Sequence, residues 1–276
     1  MTSPRHAHDT GRGRYYSDPA GGPDLVSVTN VLSTAVAKQA IVPWAVKLTA
    51  EWVVAHRFEV ARRAFTDREQ LLKDIKAVHR DARDRAANLG TRIHHRAEAM
   101  ALQAPYPADP EVDPYARRLV QFWRQWDVDL ERDVVAAELT FVHRRLGYAG
   151  TGDLMLWLPT GPGRRRELWL IDYKTSATRP ASSVYPENAL QLAALRYCEH
   201  VLLPDDTDGP VLPIERTGVL NLRQRSHALV PMPAGRDAHR AFRGALETTR
   251  WLHAAPATYP ALLPPVAVEQ TSRKAA

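Results

Sequence analysis

The sequence predicts an α/β protein with a mixed central β-sheet flanked by helices and an N-terminal helical elaboration. Helical periodicity, with breaks, runs through the first half of the chain. The second half contains three strand-like runs, a helix, a likely hairpin and a closing helix. Of the 276 residues, 45% are hydrophobic and 25% charged. These fractions are ordinary for a globular domain and exclude a fibrous repeat or a wholly disordered chain.

The charge balance and the cysteine content narrow the functional classes. A formal net charge of +6 suits a polyanionic partner such as DNA or RNA. The single cysteine, Cys198, excludes an intramolecular disulfide and an iron–sulfur cluster held by four of the chain's own thiolates. No apolar run has membrane-spanning length, and the first residues lack the apolar core of a signal peptide. We therefore expect a cytoplasmic protein with no membrane partner.

Residues 1–22 are rich in Gly, Pro, His and Arg, and this composition predicts a flexible arm. Within it, Arg14–Tyr16 can still pair with Leu25–Val28 as a short edge strand. Ser27 or Thr29 can cap the first helix of the region that follows.

Residues 23–130 form the predicted helical region, with helical patterning to about Gln103. Between Arg57 and Arg96 there are eleven Lys or Arg residues and six Asp or Glu residues, which is nearly the whole positive excess of the chain. Two interpretations remain open for this segment. The charges either pair at helical spacing on solvated faces or form a surface that follows DNA phosphates.

Residues 131–258 form the predicted α/β core, and residues 259–276 are predicted to be a flexible tail. A Pro-rich break precedes the last helix of the helical region, whose aromatic residues we expect in the core. In chain order, the predicted elements are that helix (115–126), strands at 134–142, 148–158 and 167–175, a helix at 187–203, a hairpin formed by 218–223 and 227–233, and a helix at 237–252.

The second and third predicted core strands each carry an aspartate. If the turn between them is centred between residues 162 and 163, Asp153 lies opposite Asp172, with Cβ atoms roughly 5 Å apart. Because side chains alternate along a strand, Lys174 shares the face of Asp172 while Tyr173 points away. Two carboxylates this close repel each other, and a divalent cation is the usual compensation.

The same pattern can arise from a surface cluster in which Lys174 simply neutralises the two acids. The sequence context argues against that interpretation. Asp172 follows the apolar run LWLI, which is typical of a buried strand, and a buried carboxylate needs a strong partner. Asp153 follows GYAGTG, in which the glycines permit a close approach to the strand end.

Four motifs occur in one order: GTRIH ending at His94, GTGD ending at Asp153, IDYKT around Asp172, and Gln191 on the next helix. This combination resembles the RecB-type branch of the PD-(D/E)XK nuclease superfamily, which includes phage and CRISPR-associated exonucleases. The opening SVTNVL, followed by a helix bearing Trp44, is also similar to the phage exonucleases of that branch. The resemblance implies a restriction-endonuclease-like core.

The resemblance also implies roles for individual residues. His94, Asp153, Asp172 and the main-chain carbonyl of Tyr173 would bind a divalent metal, and Lys174 would assist the attacking water. Carboxylate and carbonyl oxygens suit Mg²⁺ or Mn²⁺, and the imidazole favours Mn²⁺. No iron–sulfur cluster is expected, because the cysteines that hold it in some relatives are missing.

Further residues are candidates near this centre. Glu138, on the preceding strand, matches an acid of related enzymes, although a structural role in the strand is an equal alternative. Gln191 is expected near the metal and DNA, whereas Tyr197 is 240° further round the helix and off that face. Thr91 lies one turn before His94 and can hold its ring.

The predicted function is a metal-dependent deoxyribonuclease, most simply an exonuclease of phage or bacterial DNA recombination and repair. The expected partners are linear duplex DNA or single-stranded ends, together with recombination or phage proteins. A structure-specific endonuclease of the same fold and a non-cleaving DNA-binding module are the alternatives. An unrelated metal-binding or structural protein is a third.

Overall fold

A computed structural model describes residues 4–262 and confirms the α/β class, with a mixed, mostly antiparallel open sheet flanked by helices. Ten strands of the described chain belong to this sheet. They are β1 (Ala7–Thr10), β2 (Gly13–Tyr16), β3 (Leu25–Ser27), β4 (Val134–His143), β5 (Tyr148–Leu158), β6 (Glu167–Thr175), β7 (His200–Leu202), β8 (Asp208–Pro210), β9 (Arg216–Leu222) and β10 (His227–Pro231).

The helices follow the predicted order, with a largely helical first half and two helices, one short and one long, in the second. Ser27 caps the first one, because its hydroxyl accepts a hydrogen bond from the Asn30 amide at 3.0 Å. The helices are α1 (Val28–Ala35), α2 (Ile41–Ala55), α3 (Arg57–Thr66), α4 (Arg68–Ala101), α5 (Asp113–Gln125), α6 (Leu130–Asp133), α7 (Glu187–Arg196) and α8 (Arg236–Ala254). None of them combines the length and apolarity that a bilayer crossing requires.

Strand β5 is the centre of the sheet. It pairs antiparallel with β4 along one edge, and its other edge pairs antiparallel with β6 and, near Tyr148, parallel with β3. The sheet continues from β6 through the parallel strand β9 to β10, and from β4 through β7 to β8. The two parallel pairings, β3 with β5 and β6 with β9, make the otherwise antiparallel sheet mixed, as predicted.

The predicted register between β5 and β6 is confirmed. Leu154 lies opposite Ile171 and Leu158 opposite Glu167, so continuation of the ladder places Asp153 opposite Asp172. A short 3₁₀ turn at Pro162–Arg164 connects the strands at the predicted position. Hydrophobic cores cover both faces of the sheet. One packs under α1, α7 and α8, and the other under α4 and α5, where the aromatic residues of α5 are buried as expected.

The segment assigned to a flexible arm, residues 1–22, instead contains β1 and β2 in its described part. Strand β2 pairs with β3, with Tyr15 opposite Val26, and this confirms the edge-strand alternative. The side-chain amide of Asn30 donates to the carbonyl of Arg12 at 2.8 Å and fixes the turn. A glycine is required at position 13, where φ is +95° and a Cβ would lie 2.5 Å from the Asn30 carboxamide oxygen.

The helix predicted at residues 187–203 ends early. Tyr197 caps α7, and the chain then forms β7, which pairs with β4 through Val201 opposite Phe141. A free edge of β4 offers backbone partners that outweigh continued helix at these positions. The hairpin and the last helix are confirmed as β9, β10 and α8. Of the predicted tail, residues 263–276 lie outside the described chain.

Candidate metal centre

The predicted motif residues line one open cavity of about 600 Å³. Its walls come from α4, α7, the central strands β4, β5 and β6, and the N-terminal strand β2. The side chains of interest in that wall are His94, Glu138, Asp153, Asp172, Lys174 and Gln191.

Three of these side chains converge closely enough to share one cation. One ligand atom each of His94, Glu138 and Asp153 lies within 4.8 Å of the other two. His94 Nδ1 is 3.5 Å from Asp153 Oδ2. The three residues come from α4, β4 and β5, so two strands of the sheet and one helix build the cluster.

Glu138 reaches the site through unusual backbone geometry. Its φ is +51°, although it lies inside β4, between Ala137 opposite Leu154 and Leu139 opposite Gly152. A non-glycine residue in the left-handed region costs free energy, and such residues cluster at functional sites. Glu138, left undecided between two roles by the sequence, lines the cavity, and its functional role stays a prediction.

The cluster perturbs the ionisation of its members. Burial, followed by the Asp153 carboxylate, raises the pKa of Glu138 to about 8. Burial alone would lower the pKa of His94, but the charge of Asp153 and a hydrogen bond to it outweigh burial and raise that pKa to about 9. Burial would raise the pKa of Asp153, yet His94 and Lys174 hold it below its usual value.

Asp172 is held by two side chains on the same face. The Lys174 ammonium lies 2.6 Å from one carboxylate oxygen and donates to the other at 2.8 Å. Gln191 also donates to that second oxygen at 2.8 Å, and its own carbonyl oxygen lies 3.5 Å from Lys174 Nζ. The predicted alternation along β6 is thus present, with Asp172 and Lys174 together.

Tyr173 points to the opposite face, as expected. Its backbone N–H donates to Asp153 Oδ2 at 2.6 Å, at the point where the β5–β6 ladder ends. Its ring stands edge-on to the His94 ring at 5.8 Å between centroids. The Tyr173 main chain therefore sits beside the cluster.

The donor set fits a hard divalent cation. Two carboxylates and one imidazole within ligand reach of each other suit Mn²⁺ or Mg²⁺. The pKa of Glu138 is raised first by burial and then by repulsion from the Asp153 carboxylate, and a cation would offset both. Asp172 is not one of the three clustered donors. Lys174 and Gln191 both donate to its Oδ1, whereas its buried Oδ2 lies 2.6 Å from Lys174 Nζ without a hydrogen bond of good geometry from any described residue.

Two subsidiary predictions have different outcomes. The Thr91 hydroxyl donates to the Ala87 carbonyl at 3.1 Å, and among the described residues no hydrogen bond joins it to the His94 ring. A Thr in a helix interior satisfies its hydroxyl within its own turn. Tyr197 lies off the Gln191 face, as predicted, and its ring stacks on His239 at 4.9 Å.

Sequence reasoning missed the contribution of the N-terminal strands. Arg14 and Tyr16 line the cavity, and the Tyr16 hydroxyl is hydrogen-bonded to the Thr151 hydroxyl at 2.9 Å. The available signal was the edge-strand pattern of GRYY, which placed these residues in the sheet but not beside the motifs.

Compared with protein-family models and with curated proteins, the chain matches none of them.

Proposed function

We propose that this chain is a divalent-metal-dependent DNA nuclease whose active site is the cavity between α4 and the strands β4, β5 and β6. The observation that carries the proposal is the side-by-side arrangement of two groups. The donors His94, Glu138 and Asp153 lie together, and the Asp172–Lys174 pair opens into the same cavity. A metal site beside a fixed ammonium suits hydrolysis of an anionic ester.

His94, Glu138 and Asp153 would hold the cation, and the resemblance adds Asp172 and the Tyr173 carbonyl. When bound, the cation supplies an activated water and offsets charge on the scissile phosphate. The edge-on Tyr173 ring and the Asp153 carboxylate hold the imidazole of His94 in place. The Tyr173 N–H in turn holds the Asp153 carboxylate.

In the proposed reaction Lys174 acts as a protonated ammonium group. Burial would lower its pKa, but the carboxylates of Asp172 and Asp153 outweigh burial and raise it. An ammonium that keeps its proton orients water and stabilises negative charge on the phosphate oxygens. Gln191 aligns both partners, because it contacts the Asp172 carboxylate and the Lys174 ammonium.

The fold around the cavity supports the RecB-type reading of the motifs. The acid-bearing strands β4, β5 and β6 follow one another, and α7 brings Gln191 back over β6. The motif GTRIH lies on α4, where His94 faces these strands. A restriction-endonuclease-like core is therefore part of the proposal, as are linear DNA and its ends as substrates.

The test is a cleavage assay with purified protein on linear and on covalently closed circular DNA of the same sequence. We expect degradation of linear DNA in Mg²⁺ or Mn²⁺ and none in Ca²⁺ or chelator. Equal cleavage of both DNAs identifies an endonuclease. Metal-independent binding without cleavage in any cation contradicts the nuclease and favours a binding module.

A further inference from the structure

The outer face of α2 and α3 carries an exposed apolar stripe, on which the Arg57 guanidinium stacks over the Phe58 ring at 4.4 Å. The helical hydrogen bonds run on through His56, which donates to the Trp52 carbonyl at 3.0 Å and accepts from the Val60 amide at 2.9 Å. At 3.6 residues per turn, one face of this nearly continuous helix carries five apolar residues within about 80°. The stripe consists of Ala50, Val54, Phe58, Ala61 and Phe65.

These side chains are exposed to a degree that is unusual for their type. Val54 is 66% exposed, Phe58 76% and Phe65 94%. The opposite face of α2 and α3 already packs on α4, through residues such as Leu48 and Trp52 that are partly buried. A contiguous apolar face on a folded surface marks an interaction site.

We infer that this stripe is the contact face of a symmetric dimer, and that its occupant is the same stripe of a second copy of this chain. The inference does not depend on the proposed nuclease activity. The five side chains of the stripe offer on the order of 500 Å² per copy when fully buried, or about 1,000 Å² in a pair. That area is at the lower limit for a specific interface, so the dimer is expected to be weak.

The order of large and small side chains along the stripe fits an antiparallel packing of the two copies of this helix pair. With the two-fold axis between residues 57 and 58, Ala50 of one copy lies opposite Phe65 of the other, and Val54 lies opposite Ala61. Small residues thus face large ones, which allows two helices to interdigitate. On one flank, Glu51 of each copy comes within reach of Arg62 of the other, so opposite charges meet.

The stripe does not fit nucleic acid equally well. Its five residues carry no charge, whereas a bound strand needs cations at its phosphates. The chain's unpaired lysines in this region, Lys73 and Lys76, lie on α4 instead. Arg57 and Arg62 flank the stripe on α3, but the stripe itself carries no charge.

The first experiment measures the mass of the full chain in solution by light scattering over a dilution series. We expect a dimer that dissociates on dilution, and Phe58→Ser/Phe65→Ser should dissociate at least tenfold more easily. Trp251→Ser is the matched control, because Trp251 is 65% exposed on α8 and should leave the dimer unchanged. A wild-type chain that is monomeric throughout overturns the inference, as does a double variant that remains dimeric.

The second experiment fixes the arrangement by disulfide trapping. Ala50→Cys and Phe65→Cys should each fail to cross-link alone, since copies of residue 50 lie roughly 22 Å apart in the antiparallel pair. Mixed together, they should cross-link; Cys198 is buried and gives little background. Cross-linking of each variant with itself overturns the antiparallel pairing. If Phe58→Ser/Phe65→Ser loses oligonucleotide binding while its mass in solution equals that of the wild type, the stripe binds nucleic acid and the dimer inference is overturned.

Discussion

Lys174 and Asp172 lie on one face of β6 and contact each other, yet they have different tasks in the proposed reaction. The Asp172 carboxylate is buried, and burial raises its pKa while the Lys174 ammonium opposes that rise. Asp172 therefore depends on a cation for its charge. In the described structure Lys174 is that cation; in the proposed reaction a bound metal would neutralise Asp172 and leave the ammonium to face the phosphate.

Lys174→Ala should reduce turnover by roughly a hundredfold or more, because a charge-stabilising group is lost at the reacting phosphate. Metal affinity should stay the same or rise, since a positive charge leaves the vicinity of Asp153 and Asp172. Single-turnover cleavage and calorimetric titration with Mn²⁺ measure the two effects separately.

Asp172→Asn is the matched comparison, because it removes a charge at the same contact. We expect it to weaken metal binding and abolish cleavage together. If Lys174 were only a structural counter-ion, Lys174→Ala would melt earlier but cut at the parental rate once folded. That outcome would end the catalytic assignment.

The sequence predicted part of this site for a definite physical reason. A tight turn fixes the register of a hairpin, so the positions of Asp153 and Asp172 followed from counting along the chain. Glu138 could not be decided in this way. Its φ of +51° turns it out of the regular strand pattern, and only tertiary packing selects such a conformation.

At the scale of elements, α3 and α4 divide their charges between paired and unpaired groups. Arg63 contacts Glu59 and Asp74, and Arg83 contacts Asp84. Among the described residues, no acid lies within ion-pair distance of Lys73 or Lys76, and both are exposed. The paired-charge interpretation is therefore confirmed for part of the segment, and the phosphate-following surface stays a prediction for the two unpaired lysines.

Lys73→Glu/Lys76→Glu should weaken DNA binding uniformly across sequences. The slope of log affinity against log salt should shrink by about two, at about 0.9 per phosphate contact on duplex DNA. Fluorescence anisotropy in Ca²⁺ at several salt concentrations measures both quantities.

Arg83→Glu is the control on the same helix, because Arg83 is already paired with Asp84 at 2.9 Å and should contribute less to binding. If the double reversal changes neither affinity nor slope, these lysines are only a solvated surface. The nuclease proposal would survive that result, since cleavage is measured independently.

Helices and strands with a strong apolar pattern of their own were predicted well. Element ends that depend on contacts with other parts of the sheet were not. The amphipathic spacing of α5 and the apolar run of β6 are sufficient by themselves. The end of α7 depends on the free edge of β4, which only the assembled sheet provides.

At the scale of the whole molecule, the candidate centre joins the two halves of the chain. His94 belongs to the helical region, whereas Glu138 and Asp153 belong to the sheet. A cation held by all three would tie α4 to β4 and β5. If the cation binds only the folded state, it raises the free energy of unfolding. The increase is about 2.7 kcal/mol when the cation concentration is a hundredfold above its dissociation constant.

This stabilisation should depend on pH in a defined direction. In the metal-free protein, the pKa values of about 8 for Glu138 and about 9 for His94 lie above their unfolded values. Both groups therefore stabilise the fold at low pH, and their contributions are lost as pH rises through the folded pKa values. Protons also compete with a cation for the same atoms, so metal binding should strengthen as pH rises.

We therefore expect Mn²⁺ to raise the melting temperature more at about pH 8.5 than at about pH 6, while the metal-free protein melts earlier at the higher pH. Differential scanning calorimetry at both pH values, with Mn²⁺ and with chelator, measures the four quantities. His94→Ala should fold and yet lose most of the Mn²⁺ effect, because one of three donors is gone. Arg92→Ala, on the same helix and outside the donor group, should keep it. An Mn²⁺ effect that is equal at both pH values, or retained in His94→Ala, would show that the cation binds elsewhere.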